Sequence, residues 1–183
     1  MLSTTARECP AFLLNRAKAL PQVVTAVVNP VNLLTLGSAK QAFDEGLIDP
    51  VLVGDIHQMR GLAEQLDWDL NGIRLIAAAD EAESAAISCA LAGKGEASAL
   101  MKGHLHTDTL LRAVLKRDAG LRTASRLSHV FHMTLPGSDK ALSITDAVIN
   151  VQPSIIDKVH IARNAIQLMH ALGYESPRMA ILS

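Results

Sequence analysis

The stretch ASALMKGHLHTDTLLRAVLKRDAG, residues 97–120, changes from an apolar strand pattern to an amphipathic helix pattern across a glycine turn. Its first part, ASALMKG, is a short apolar run that ends in Lys102 and Gly103, which is typical of a buried strand followed by a turn. Its second part, TDTLLRAVLKRDAG, has leucine, alanine and valine at helical spacing. The stretch therefore predicts a strand-turn-helix unit.

The same unit occurs three times earlier in the chain. Apolar runs at VVTAVVN (23–29), PVLVGD (50–55) and IRLIAA (73–78) each precede an amphipathic stretch. The first of these helices is predicted to end at Gly46, and the acidic residues of DEAESAAISCALAG suit the first turn of the third. Four strand-helix units in succession predict an α/β fold of three layers, with helices on both faces of a largely parallel sheet.

The pattern changes near residue 125. LSHVFHMTLP (127–136) and ALSITDAVIN (141–150), separated by the turn-rich GSDK, predict a hairpin. SIIDKVHIARNAIQLMHALG (154–173) predicts a helix whose apolar stripe comprises Ile155, Val159, Ala162, Ile166 and Met169. PRMAILS (177–183) predicts a further strand, and a buried parallel strand usually continues into a crossover. We therefore expect a first α/β domain over residues 1–124 and the start of a second, incomplete domain over residues 125–183.

Composition excludes several functions. The 17 basic and 18 acidic residues balance, and aromatic residues make up 3% of the chain, so a nucleic-acid partner is not expected. The apolar runs are shorter than the roughly 20 residues that span a bilayer, and the N-terminal sequence lacks the pattern of a secretion signal. We expect a soluble cytoplasmic protein in which Cys9 and Cys89 are reduced and Cys89 is a buried structural thiol.

The turn after residue 102 has two chemical interpretations. His104 and His106 lie two residues apart, so in an extended segment both imidazoles could hold one metal ion. HLHTD resembles the His-x-His of metal-dependent amidohydrolases, which implies a metal-dependent hydrolase, but the other five histidines supply no convergent ligand. We therefore expect no bound metal.

The second interpretation is an anion site. Lys102 ends the strand, Gly103 forms the turn, Thr107 is placed to cap the following helix, and Arg112 offers a forked donor one turn in. Free N–H groups at a helix start bind phosphate, whereas Asp108 in the first turn would oppose an anion. A capped helix with a surface arginine and no bound anion would have the same sequence pattern. The pattern alone therefore does not decide between an anion site and a capped helix.

Five segments together resemble the phosphate acetyl- and butyryltransferase family. They are GLIDPVLVGD, ALMKGHLHTDTLLRAVL, GLRTASRLSHVFHM, ITDAVINVQP and IARNAIQLMHALGYESPRMAILS, in the order of the family. The resemblance implies the reaction of acyl-CoA with phosphate to give acyl phosphate and CoA. It also implies a two-domain α/β fold similar to isocitrate and isopropylmalate dehydrogenases, a cleft active site, a homodimer, and no permanently bound cofactor.

The resemblance also assigns residues. Lys102, Gly103, Thr107 and Arg112 fall in the block that binds phosphate or CoA phosphates, and Asp146 and Asn150 fall in a block near the cleft. The catalytic groups of the family, a Ser-Arg pair and an aspartate, are expected beyond residue 183. Many members have Thr-Ala-Asp at residues 107–109 and Ser at His106. Patterns do not fix the acyl-chain preference, and a non-catalytic ligand-binding or interaction module is the alternative function.

Overall fold

The computed structural model describes residues 9–134 and 141–182 of the chain. The chain divides into two compact units, one of Leu14–Arg122 and one of Thr123–Ser183 together with Met1–Leu13. The domain boundary that we predict at residue 125 stays a prediction about independent folding. A short helix, α1 (Ala11–Lys18), was not expected from the sequence.

The Leu14–Arg122 unit contains a four-stranded parallel sheet. Its strands are β1 (Val23–Val28), β2 (Ile48–Gly54), β3 (Arg74–Ala77) and β4 (Ala99–Lys102), in the spatial order β3-β2-β1-β4. Every neighbouring pair is parallel, and the register aligns Val28 with both Val53 and Lys102. The carboxyl ends of the strands therefore lie along one edge, as expected for successive right-handed crossovers.

Helices cover both faces of this sheet, which confirms the predicted three-layer α/β fold. Val27 and Leu52 pack on α2 (Leu33–Asp44) and α3 (Ile56–Gln65). The alternate residues, among them Val28 and Val53, face the clusters beneath α4 (Glu81–Gly93) and α5 (Thr107–Val114). Strand side chains alternate between faces, so a strand buried on both faces is an unbroken apolar run.

The local signals for helix ends are confirmed at most positions. Gly46 adopts a φ of 72° just past α2, where a left-handed residue ends the helix. Asp80 caps α4 by accepting the N–H of Glu83 at 2.8 Å. Cys89 is buried in the cluster beneath α4, as predicted, and burial raises the pKa of its thiol.

The second unit contains a hairpin and a long helix. β5 (Phe131–Thr134) pairs antiparallel with β6 (Ala141–Ile144), as predicted, although both strands are shorter than their apolar segments. The predicted GSDK turn lies outside the described residues. The helix α6 (Ile155–Ala171) begins with a capping box in which Ser154 and Asp157 each accept the other's N–H.

Two expectations for this unit are wrong. The buried residues of α6 are Ile161 and Ala165, whereas Ile155 of the predicted stripe is 82% exposed. His160 and Asn164, next to the buried pair, hydrogen bond the segment 125–128, and these contacts select the buried face. Residues 177–182 form no strand, because no described strand pairs with them and a strand needs a hydrogen-bonded neighbour.

No helix among the described residues is long and apolar enough to cross a membrane.

Candidate functional site

The strand order creates a switch point between β1 and β4. The chain leaves β1 towards β2 on one side, and β4 lies on the other side. In open α/β sheets, ligands bind outside the carboxyl ends of the strands at such a point. The residues that follow the two strand ends are Asn29 and Gly103, so the predicted turn lies at this position.

Backbone and side-chain hydrogen bonds join the two strand ends. The N–H of Gly103 donates to the carbonyl of Val28 at 2.9 Å, and the N–H of His104 donates to the carbonyl of Asn29 at 2.8 Å. The Asn29 side chain donates to the carbonyl of His104 at 2.7 Å. Asn29 has a φ of 55°, the left-handed region that asparagine tolerates better than most residues. Asn29 thus fixes the edge, although the sequence pattern did not single it out.

Gly103 is required by packing at this edge. A Cβ at Gly103 would lie 2.3 Å from the carbonyl oxygen of Val28 and 2.7 Å from that of Asn29. These are backbone atoms of β1 and its following turn, so they cannot move aside cheaply. The absence of a side chain at Gly103 therefore allows the backbone of this turn to approach the end of β1, whereas the prediction was an approach to an anion.

The predicted cap of α5 is wrong. α5 begins at Thr107, and His106 is its N-cap, with no side-chain hydrogen bond to the first turn. The N–H of His106 instead donates to the Glu81 carboxylate at 3.0 Å. Glu81 belongs to α4, 25 residues earlier, so this contact is a tertiary one and not a local cap.

Glu81 also contacts the His106 side chain. Its Oε1 lies 3.1 Å from Nδ1 of His106 and accepts from Oγ1 of Thr109 at 3.5 Å. The N–H of His106, followed by its imidazole, lowers the pKa of the Glu81 carboxyl. A carboxylate of the chain itself therefore lies before α5, at the helix end where the dipole favours negative charge.

The two predicted cations of the site are exposed. Arg112 pairs with Asp108 one turn earlier on α5, and its Nε donates to the Asp108 carbonyl at 3.3 Å. Lys102 donates weakly to the carbonyl of Gly103 at 3.5 Å. Both partners of the arginine pair are solvated, and such a pair contributes about 0.3–0.5 kcal/mol. An incoming phosphate could therefore displace Asp108 from Arg112 at small cost.

The metal interpretation gains no support from the described part of the chain. It contains no group of three or more His, Cys, Asp or Glu side chains arranged to hold a metal ion. The imidazole of His106 is paired with Glu81, and His104 belongs to no group of metal-binding side chains among the described residues.

A shallow depression of about 480 Å³ lies along the same edge. It is formed at the carboxyl ends of β2 and β3, and its residues include Gly54, Asp55, His57, Ala78 and Glu83. The carboxylates of Asp55 and Glu83 both accept backbone hydrogen bonds. Asp55 caps α3, and Glu83 accepts the N–H of Ala79 at 2.7 Å. The depression therefore lies on the β2–β3 side of the edge, and none of its lining residues belongs to β1 or β4.

Asp146 and Asn150 lie in the second unit and form a polar cluster there. Asp146 accepts the N–H groups of Val148 and Ile149, each at 2.9 Å. Its other oxygen accepts the Asn150 side chain at 2.5 Å and the N–H of His129 at 3.2 Å. The Asn150 side chain also accepts from Arg126 at 2.7 Å. The two predicted residues thus belong to one hydrogen-bonded cluster, and both hold the backbone around them.

The hydrogen bonds to Asp146 predict that the stability of the second unit falls at acid pH. Burial alone would raise the pKa of Asp146, but the four donors outweigh burial and lower that pKa. A lowered pKa in the folded state stabilises the fold above the unfolded pKa of about 3.9, and this contribution is lost as pH falls through the folded value. D146N, which lacks the charge, should lower the free energy of unfolding at pH 7 by about 1–3 kcal/mol. The same variant should reduce the loss of stability on acidification.

Urea unfolding of the wild type and D146N at neutral and acid pH measures both effects. D49N, at an exposed position on β2, is the matched control and should follow the wild type. Equal pH dependence in D146N and the wild type would show that the Asp146 hydrogen bonds do not stabilise the ionised carboxylate.

Comparison with known proteins identifies relatives along most of the chain. Residues 80–183 match the family described as Phosphate acetyl/butaryl transferase. A phosphate acetyltransferase from Rickettsia typhi is 42% identical over 172 residues, which are 93% of this chain and 49% of the relative. A phosphate butyryltransferase from Clostridium beijerinckii is 34% identical over 168 residues, 92% of this chain and 56% of the relative. The chain spans about half the length of the curated relatives it matches.

A solved structure shares the fold. The EutD phosphotransacetylase from Staphylococcus aureus superimposes with a TM-score of 0.72 at 20% identity, covering 89% of this chain and 58% of that one. At this identity the likeness concerns the α/β architecture. It agrees with the parallel sheet and the helix layers described above.

Proposed function

Because the chain belongs to the phosphate acetyl/butyryltransferase family, we propose that the protein is a phosphate acyltransferase. It transfers an acyl group between CoA and inorganic phosphate, so that acyl-CoA and phosphate give acyl phosphate and CoA. The observation that carries the proposal is the match over residues 80–183, which includes the whole strand-turn-helix segment at the switch point. Relatives named for acetyl and for butyryl groups both align, so we propose an acetyl or a butyryl group as the acyl group.

Phosphate binds at the start of α5 in this proposal. The helix start supplies N–H groups and a partial positive charge, Thr107 supplies a hydroxyl, and Lys102 and Arg112 supply cations. The support is geometric, since Lys102 ends β4 at the switch point, Thr107 and Arg112 lie on the following helix, and the two cations are exposed. Gly103 contributes by bringing this segment against β1.

Transfer is direct from CoA to phosphate. A phosphate oxygen attacks the thioester carbon, donors fixed in the protein stabilise the oxyanion that forms, and the CoA sulfur leaves. The transfer does not pass through Cys89, because burial removes this thiol from reactants and raises its pKa. We further propose that Asp146 and Asn150 are substrate-binding residues of the second unit, supported by the nearly complete burial of Asn150, 9% exposed, in a polar cluster.

The remaining properties proposed here follow the family resemblance. They are a cytoplasmic homodimer, acyl-CoA and phosphate as substrates, no permanently bound cofactor, and the family's Ser-Arg pair and aspartate outside residues 1–183. A ligand-binding module without catalysis is the alternative, and the two are separated by whether phosphate-dependent CoA release occurs.

The role of Arg112 gives a direct test of the proposed phosphate site. Loss of one charge-assisted hydrogen bond costs about 1.5–3 kcal/mol, so R112A should raise the KM for phosphate or CoA about 10–100-fold. R74A is the matched control, because Arg74 is likewise an exposed arginine paired with an acid, Glu96 at 2.8 Å, but begins β3 at the opposite edge of the sheet. Steady-state kinetics of both variants are compared with the wild type. An R112A enzyme with unchanged KM for both substrates would remove Arg112 from the site.

A further inference from the structure

His106 and Glu81 form an imidazole–carboxylate pair at the carboxyl edge of the sheet. Nδ1 of His106 lies 3.1 Å from one carboxylate oxygen and 3.3 Å from the other, and the backbone N–H of His106 donates to the same carboxylate. Thr109 adds a longer contact of 3.5 Å. Two neighbouring helices therefore position the pair, since Glu81 is the first residue of α4 and His106 is the N-cap residue of α5.

This geometry determines which ring nitrogen of His106 can accept a proton. When the carboxylate accepts the Nδ1 proton, the neutral imidazole has its lone pair on Nε2, which can take a proton. The His106 side chain is 81% exposed, and no described residue hydrogen bonds Nε2. Glu81 is the less exposed partner, and the donors around it favour its ionised form. The pair has the arrangement of a general base with its orienting carboxylate.

The pair lies beside the proposed phosphate site. His106 immediately precedes Thr107, the first residue of α5, and follows the turn formed by Gly103 at the switch point. We propose that His106 takes the proton of the phosphate hydroxyl during acyl transfer and that Glu81 is its positioning residue. The inference rests on the phosphate acyltransferase function proposed above and adds a proton-transfer group within this chain.

The proton and electron balance is complete for this step. Hydrogen phosphate forms an O–C bond to the acyl carbon, and the C–S bond breaks with its electron pair going to sulfur. The phosphate hydroxyl proton passes to Nε2 of His106, which becomes a cation stabilised by Glu81. The CoA thiolate takes a proton from water or from an acid at its own end, and His106 returns its proton to solvent. In the reverse direction each transfer is reversed.

The experiment uses the form of the protein that shows phosphate-dependent CoA release. H106A should lower kcat about 100-fold or more while the KM for phosphate changes less than about threefold, because general base catalysis contributes 10²–10⁴-fold. Free imidazole should restore part of the activity of H106A, since it replaces the missing ring. E81Q keeps an acceptor for the His106 N–H without the charge, and its kcat should fall about tenfold or more. H104A is the matched control, as His104 contributes only backbone atoms to the edge, and it should keep wild-type kinetics.

Each outcome decides the inference. An H106A enzyme with kcat within threefold of the wild type overturns it, and so does a loss of activity in folded H106A that imidazole does not restore. If H106A fails to fold, H106Q replaces it, because the amide can still donate to Glu81 but cannot take a proton, and H106Q with wild-type kcat overturns the inference. A wild type without phosphate-dependent CoA release refutes the proposed function itself, whereas an active wild type with an equally active H106A refutes only the role of His106.

Discussion

G103A should be destabilised by about 3 kcal/mol, the upper end of the range for overpacking. The added Cβ would lie within 2.8 Å of three backbone atoms of Val28 and Asn29. Relief of this clash requires β4 to move away from β1, which breaks the hydrogen bond between Gly103 and Val28. The effect should be large because neither side of the contact is a flexible side chain.

Urea unfolding of G103A and G61A provides the comparison. Gly61 lies in the interior of α3, where an added Cβ meets nothing within 4 Å, so G61A should gain about 0.5–1 kcal/mol from helix propensity. The two glycine-to-alanine changes therefore have opposite expected signs. A G103A protein that unfolds at the wild-type urea concentration would show that β1 and β4 do not approach this closely.

The central strands β1 and β2 were predictable because most of their residues are buried on both faces of the sheet. Apolar runs such as VVTAVV are long enough to be recognised without a partner, and Gly46 marks the end of α2 through a requirement of its own backbone. The same holds for Ser154, whose capping box is formed by residues three apart. These features are determined by residues close together in the chain, and a sequence pattern therefore predicts them.

The errors lie where distant residues decide. Thr107 was a reasonable local cap, but His106 is the N-cap residue of α5, and Glu81 from another helix accepts its N–H. The face of α6 was chosen by apolar spacing, whereas His160 and Asn164 orient the helix through bonds to residues 125–128. Likewise, the pairing of His106 with Glu81 joins residues 25 apart, and no periodicity in the sequence indicates it.

The central claim is phosphate-dependent acyl transfer, and its expected effect is the largest of all. Enzymes accelerate reactions by about 10⁶-fold or more, so CoA release should be readily measurable with phosphate and negligible without it. Phosphate is a reactant in this account, so each CoA released must be matched by one acyl phosphate. A metal-dependent hydrolase would instead release CoA without phosphate and would lose activity with a chelator.

The measurement is the release of CoA thiol from acetyl-CoA and butyryl-CoA, with and without phosphate and with and without chelator. It is made on this chain and on a form extended past Ser183 to the length of the relatives. The account predicts release that requires phosphate, yields acyl phosphate in equal amount and resists the chelator, in at least one of the two forms. Absence of phosphate-dependent release from both forms, when both are folded, would contradict it.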